Sequence, residues 1–127
     1  MIAYIQEDGS VAFCSLASSV PTGAQYIEPT ELPQDPWHEA FEIVGDAVVS
    51  NVPKLKEWLH GRRRAKRTES LAPLDEEERY VTTSETRRAE IATEKLAELD
   101  ANSVIQDSID ACADEAELRD LYEVAGL

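Results

Sequence analysis

Residues 51–75 constrain the fold more than any other part of the chain, because they carry the signals of one long helix. Pro53 stands where a first helical residue would, since the N–H that a proline lacks has no helical partner there anyway. The side chain of Asn51 is placed to accept a hydrogen bond from a free N–H of the first turn. Three apolar residues then follow at helical spacing, namely Leu55, Trp58 and Leu59. A second proline, Pro73, predicts that this helix covers residues 53–72.

This helix also holds most of the positive charge. Seven of the twelve lysines and arginines lie in residues 54–67, which we call the cationic segment. Residues 1–53 contain eight acids and no lysine or arginine, so the charge is very uneven. The middle of the helix is too polar to be buried within a small domain. We therefore predict that it binds a partner through Trp58 and its cations, which are Arg62, Arg63, Arg64, Lys66 and Arg67.

The net charge of the chain, −14, disfavours nucleic acid as that partner. Affinity for a phosphate backbone rests on lysine and arginine, and most of this surface would repel it. No aromatic side chain for base stacking lies among the clustered arginines. Two alternatives remain beside a foreign protein. One is docking onto the acidic arms of another copy, which makes a homo-oligomer, and the other is a solvated helix face.

The chain before the helix predicts an antiparallel β-module over residues 1–52. Apolar residues alternate on both sides of Asp8-Gly9, a strong signal for a two-residue hairpin. A second hairpin over residues 37–50 turns at Gly45-Asp46, which suits a type II′ turn, and a short strand is expected at residues 25–28. The core where this module meets the helix is expected to contain Trp37, already within a strand, with Phe41 and Leu55.

The remainder, residues 53–127, is predicted to be helical, which gives an α+β fold. A helix over residues 85–100 is amphipathic, with Ile91, Leu96 and Leu99 expected on its inner face. Short helices are expected at residues 104–111 and after the capping residue Asp114.

Composition and spacing favour a binding protein over an enzyme. Two histidines and two cysteines lie far apart, and the chain has no glycine-rich phosphate loop. We therefore expect no catalytic residues, no cofactor and no metal. No apolar run approaches the roughly 18–20 residues of a membrane span, and residues 1–25 lack the pattern of a signal peptide. The chain is expected in the cytoplasm when made, with Cys14 and Cys112 as free thiols.

Two pieces of the sequence together resemble a known protein family. The first comprises FEIVGDAVVSNVPKLKEW at residues 41–58 and the pattern R-x3-R-x3-L-x2-L-D, which falls on Arg63, Arg67, Leu71, Leu74 and Asp75. The second comprises EIATEKLAELD at residues 90–100 and a short helix from Ala116 to Val124. This order is similar to small proteins of the tail modules of tailed bacteriophages, the tail fibre assembly or tail assembly chaperone-like proteins.

The resemblance covers roughly residues 37–125 and implies a structural or assembly role without catalytic residues. The partner would be a fibre, tail-tip or baseplate protein, and the location would be the virion or the host cytoplasm during assembly. Family members continue from the Leu-Asp pair into an unbroken helix, whereas Pro73 and residues 81–84 are expected to interrupt it here. The alternative function is that of a cytoplasmic acidic regulator or a DNA-mimicking protein.

Overall fold

The computed structural model describes all 127 residues, and it confirms the α+β fold. The strands come first: β1 (Ile2–Ile5), β2 (Val11–Cys14), β3 (Tyr26–Ile27), β4 (Phe41–Val44) and β5 (Ala47–Ser50). The helices follow: α1 (Val52–Arg79), α2 (Glu85–Ala111) and α3 (Glu115–Ala125). The chain divides into an N-terminal unit, Met1–Trp58, and a C-terminal unit, Leu59–Leu127. The division falls inside α1, so the first turns of this helix belong with the strands.

The N-terminal unit contains two antiparallel sheets, with strand orders β2-β1-β3 and β4-β5. Both predicted hairpins are present, and each turns on a glycine in the left-handed region, Gly9 at φ +84° and Gly45 at φ +60°. The prediction of a two-residue turn at Asp8-Gly9 is wrong, because the N–H of Gln6 donates to the carbonyl of Ser10 and leaves a three-residue loop between them. No residue other than glycine has a positive φ, so Asp46 does not. A positive φ at the first central residue alone is the requirement of a type II′ turn, as predicted.

The core of this unit contains the three expected residues, since Trp37, Phe41 and Leu55 are at most 1% exposed. The prediction that Trp37 lies within a strand is wrong, because the next residues form a 3-10 turn, His38–Ala40. The indole N–H of Trp37 donates to the hydroxyl of Ser50 over 2.9 Å, and its ring packs edge-on against Trp58 at 5.8 Å. The buried indole N–H thus has an acceptor. In an extended strand, Trp37 would lie beyond Ser50 and could not donate this hydrogen bond.

In the C-terminal unit, α1 and α2 form an antiparallel helical hairpin. The predicted end of α1 at residue 72 is wrong, because the helix continues through Pro73 to Arg79. A proline inside a helix costs about 3 kcal/mol through a lost hydrogen bond and a clash. Contacts with α2 oppose this cost. Arg87 binds Glu77 through two parallel hydrogen bonds of 2.5 and 2.8 Å, and Lys95 binds both Asp75, at 2.5 Å, and Glu78.

These ion pairs shift the titration of the groups that form them. The hydrogen bonds from Arg87 hold the pKa of Glu77 below its ordinary value. The same bonds, with others to Glu94 and Glu90, raise the pKa of Arg87. Asp75 first and Glu78 second raise the pKa of Lys95. The acidic end of α1 is therefore stabilised by the two bases that α2 presents to it.

The second helix is longer than predicted and buries a different face. It runs unbroken to Ala111, so the predicted end at residue 100 and the separate helix at 104–111 are both wrong. Ile91 is buried as expected, but Leu96 is 62% exposed and Leu99 is 42% exposed. The buried positions are instead Ile91, Asn102 and Ile109, which share one side of the helix.

The third helix is capped at both ends as its sequence predicts. The carboxylate of Asp114 accepts a hydrogen bond from the main-chain N–H of Glu117 over 2.9 Å. Gly126 ends the helix at φ +67°, a conformation that favours glycine. Leu118 and Leu127 are buried, so α3 and the residues after it close the core of this unit.

Candidate functional site

The predicted binding residues of α1 divide among different directions around the helix. Successive helical residues are rotated by about 100°, so neighbours in sequence point to different surroundings. Arg63 is buried at 4% exposure, Arg67 is half-buried, and the others are exposed, namely Arg62, Arg64 and Lys66. These five cations therefore have different surroundings within the unit.

Arg63 is the centre of a buried polar network between α1 and α2. Its Nη1 donates to Oδ1 of Asn102 over 2.5 Å, and its Nε donates to Nδ1 of His60 over 3.2 Å. Asn102 in turn donates to the main-chain oxygen of Arg63 over 3.0 Å, and His60 binds Asp110 through Nε2 at 2.8 Å. Burial, and then the neighbouring charge of Arg64, lowers the pKa of Arg63. This arginine therefore joins two helices.

Arg62 and Lys66 lie one turn apart and both reach the end of α3. The guanidinium of Arg62 donates to the main-chain oxygen of Leu127 over 3.1 and 2.9 Å. The ammonium of Lys66 donates to the carbonyl of Ala125 over 2.5 Å. The C-terminal carbonyls of a helix lack internal partners and carry partial negative charge, which cations offset. Arg62, Arg63 and Lys66 therefore have acceptors within the chain, and their binding of an external partner stays a prediction.

Arg64 and Arg67 differ from the other three, because their side chains make no hydrogen bond or ion pair, whereas Arg62, Arg63 and Lys66 donate hydrogen bonds within this unit. Arg64 follows Arg62 by two positions. Its side chain therefore points about 200° round the helix from the side that contacts α3. Arg67 follows Arg64 at a spacing that keeps both on one side of α1. Within this unit, Arg64 and Arg67 are thus the members of the cationic segment whose charged groups have no contact in the chain.

Trp58 lies in the N-terminal unit, where it lines a shallow groove of about 490 Å³. The groove is bordered by the carboxylates of Asp8, Glu39 and Glu57, with Lys54 beside them. Hydrogen bonds from Ser10 lower the pKa of Asp8. Tryptophan is enriched at protein interfaces, whereas aspartate, glutamate and lysine are depleted there, so only the indole is typical of a binding surface. That Trp58 belongs to a binding surface stays a prediction.

Asn102 and His60 are the residues of this region that the sequence did not reveal. Asn102 follows Asp100-Ala101, and asparagine favours the end of a helix over its interior. The sequence therefore predicted a helix end there and not a buried side chain. Its partner lies 39 residues earlier in the chain, so no local pattern marks it. His60 stands in an apolar turn of α1, and only the position of Asp110 on α2 assigns it a contact.

Other parts of the molecule offer few features that could bind a metal, a membrane or a small molecule. No three metal-binding side chains converge, and no helix is long and apolar enough to cross a membrane. Both cysteines are free thiols. A second groove, of about 740 Å³, lies between residues 4–8 and residues 21–25 and is lined largely by turn residues. Comparison of the chain with protein-family models, with curated proteins and with solved structures gives no match.

Proposed function

We propose that this chain is a non-enzymatic protein of a bacteriophage tail, which binds a fibre, tail-tip or baseplate component. The observation that supports it is the order of elements in the segments that resemble the family. Residues 41–58 form the β4-β5 hairpin and the start of α1, and residues 90–100 lie in α2. The resemblance implies a small β-part, a long basic helix, a helical hairpin and a short terminal helix. The helix α1 continues through Pro73 to Arg79, in keeping with that pattern, and the chain leaves the helix before residues 81–84.

The groove beside Trp58 is the surface that we assign to the tail partner. A tryptophan half-buried in a groove can be fully desolvated by a partner, which is how binding hot spots arise. The carboxylates of Asp8, Glu39 and Glu57 would select a partner that presents lysine or arginine there. The protein would act either as a part of the virion or as an assembly factor that leaves before the particle is complete.

The first experiment is mass spectrometry of purified phage particles, together with deletion of the gene. Presence in the particle, or loss of fibres on deletion, supports the proposal. Particles that lack the protein and assemble normally without it refute the proposal. Neighbouring tail genes in the genome that encodes the chain provide an independent check of the broad class.

The groove is tested with charge reversals, because Trp58→Ala would also remove the contact with Trp37. Glu57→Lys changes an exposed groove residue, and Glu7→Lys provides a control with the same change of charge outside this groove. Capture of a purified tail protein should weaken with Glu57→Lys and stay unchanged with Glu7→Lys. Equal effects of the two variants would exclude this groove.

A second candidate function is that of an acidic regulator that imitates DNA, and the charge distribution favours it. Residues 1–53 hold eight acids and no lysine or arginine. Titration against a basic DNA-binding protein at about 0.15 M salt separates the two, since unspecific charge contacts weaken there. Tight binding that duplex DNA displaces would favour the regulator over the tail protein.

A further inference from the structure

One side of α1 in the C-terminal unit has a stripe that lies away from Arg62 and Lys66, the residues that bind the end of α3, and that Lys95 of α2 reaches at Glu78. Its members recur at alternating spacings of three and four residues, the pattern of a helix that packs along another helix. In chain order they are Arg64, Arg67, Leu71, Leu74 and Glu78. Leu71 and Leu74 are only half-buried, although they are the apolar centre of the stripe. The stripe covers about 21 Å of helix.

Residues of α2 extend this apolar centre. Lys95 contacts both Asp75 and Glu78, which fixes the level at which the two helices meet. Because the helices are antiparallel, one turn from this level leads to Leu71 on α1 and to Leu99 on α2. Leu96 follows Lys95 directly and is 62% exposed, and Leu99 is 42% exposed. We call this set of four the leucine patch: Leu71, Leu74, Leu96 and Leu99.

The charges on both sides of the leucine patch are arranged symmetrically about Leu71. Arg67 precedes Leu71 by four residues, and Asp75 follows it by four. Arg64 precedes it by seven residues, and Glu78 follows it by seven. A second α1, turned end to end about Leu71, would therefore place each arginine opposite a carboxylate.

We propose that the leucine patch binds a second copy of this chain, so that two C-terminal units form a two-fold symmetric dimer with their α1 helices antiparallel. The proposal does not depend on the proposed function in a phage tail. Two helical hairpins that pair in this way bury their apolar sides in a four-helix arrangement. The same surface serves both copies, as a two-fold axis requires.

The apolar and charged parts of the surface have different roles in this dimer. Burial of the leucines supplies the driving force. The charges select the direction, because a parallel pair would place Arg64 against Arg64 and Glu78 against Glu78. Lys95 binds Asp75 and Glu78 within each copy, so the arginines of the second copy would share these two carboxylates with it. The end of α3 lies against Arg62 and Lys66, round the helix from the stripe, and leaves it open.

The mass of the full-length protein in solution is the first test, measured by light scattering over a range of concentrations. The monomer has a mass of 14.1 kDa, and we expect twice that value. Arg67→Glu should return the mass to that of the monomer at the same concentration, because it places a carboxylate opposite Asp75. Lys54→Glu, with the same change of charge at an exposed position of the N-terminal unit, should leave the dimer intact. A wild-type protein that stays monomeric, or a dimeric Arg67→Glu variant, overturns the proposal.

Mixing of two complementary variants tests whether these four charges lie at the interface. The double variant Arg64→Glu/Arg67→Glu has only acids around its leucine patch, and Asp75→Arg/Glu78→Arg has only bases. Each should be monomeric alone, and an equimolar mixture should form a heterodimer, since all four facing pairs then have opposite charge. A mixture that stays monomeric, while both variants keep their helical circular dichroism, overturns the proposed interface.

A crosslink at the symmetry axis gives a readout that does not depend on charge. The variant Leu71→Cys, in a background with Cys14→Ser and Cys112→Ser, should oxidise to a disulfide between copies, since the axis brings the two positions together. Ser70→Cys in the same background is the control, because Ser70 is turned about 100° away on α1. Equal crosslinking at both positions, or none at position 71, overturns the proposal.

Discussion

Replacement of Asn102 by leucine tests whether the buried network centred on Arg63 acts as a unit. Asn102 is 7% exposed, and it accepts the 2.5 Å hydrogen bond from Nη1 of Arg63. Leucine has nearly the same size but no acceptor, so a buried guanidinium N–H loses its partner. Hydrogen bonds to charged groups contribute about 1.5–3 kcal/mol, and we expect Asn102→Leu to cost about 3 kcal/mol of unfolding free energy.

The reverse change, Arg63→Leu, should cost about 2 kcal/mol, because it leaves the amide oxygen of Asn102 buried and unpaired. The double variant Arg63→Leu/Asn102→Leu has neither unpaired group, and apolar replacements of buried polar pairs are often neutral. We expect it to cost about 2 kcal/mol or less, although the single costs sum to about 5 kcal/mol. The coupling between the two positions is then about 3 kcal/mol.

The measurement is urea unfolding followed by far-ultraviolet circular dichroism, with all variants at one protein concentration. Gln106→Leu is the control, since Gln106 is exposed on the next turn of α2, and it should change stability by less than about 0.5 kcal/mol. Additive costs within about 0.5 kcal/mol would show that Arg63 and Asn102 contribute independently, and the reasoning would be wrong.

Three further changes test other parts of the fold. Pro73→Ala should stabilise the protein by about 2 kcal/mol in urea unfolding, since the restored helical bond exceeds the added freedom of the unfolded chain, and a loss of stability would contradict this. Asp114→Ala should cost about 1 kcal/mol by removing the cap of α3, and Asp120→Ala on the same helix should cost far less. The third concerns Glu77, whose folded pKa lies below its unfolded value. Its contribution to stability is therefore complete above the unfolded pKa and is lost as the pH falls through the folded pKa. The unfolding free energy of Glu77→Gln should fall less steeply in acid, and an unchanged pH profile would exclude this pair as a source of acid sensitivity.

Local signals in the sequence were sufficient for the strands and the helix caps. The glycines at positions 9 and 45 fixed the hairpins, because their turns need a positive φ. Asn51 caps α1 as predicted, accepting from the N–H of Lys54 over 3.0 Å. Trp37 was correctly expected in the core. The 3-10 turn that follows it was not expected, since the hydrogen bond from Trp37 to Ser50 joins residues that lie 13 positions apart.

The lengths of the helices could not be predicted, because distant contacts decide them. Pro73 and the acids after it predict an interruption, and only the bases of α2 explain why α1 continues. Asn102 reads as a helix end until its contact with Arg63 is known. The candidate site shows the same limit. The sequence located the cationic segment, but the position of α3 decides that Arg62 and Lys66 are used within the chain.

The charges of α1 are distributed against the direction of its own peptide dipole. Its first turn has no acid, all but one of its cations lie in residues 54–67, and its run of carboxylates lies near the end. An isolated helix with this arrangement, and with a proline in its interior, is intrinsically weak. Contacts with α2 therefore keep α1 helical. The two helices must form and melt together as one cooperative element. A chain cut before Glu85 would keep its strands but lose most of this helix, however favourable its other residues are.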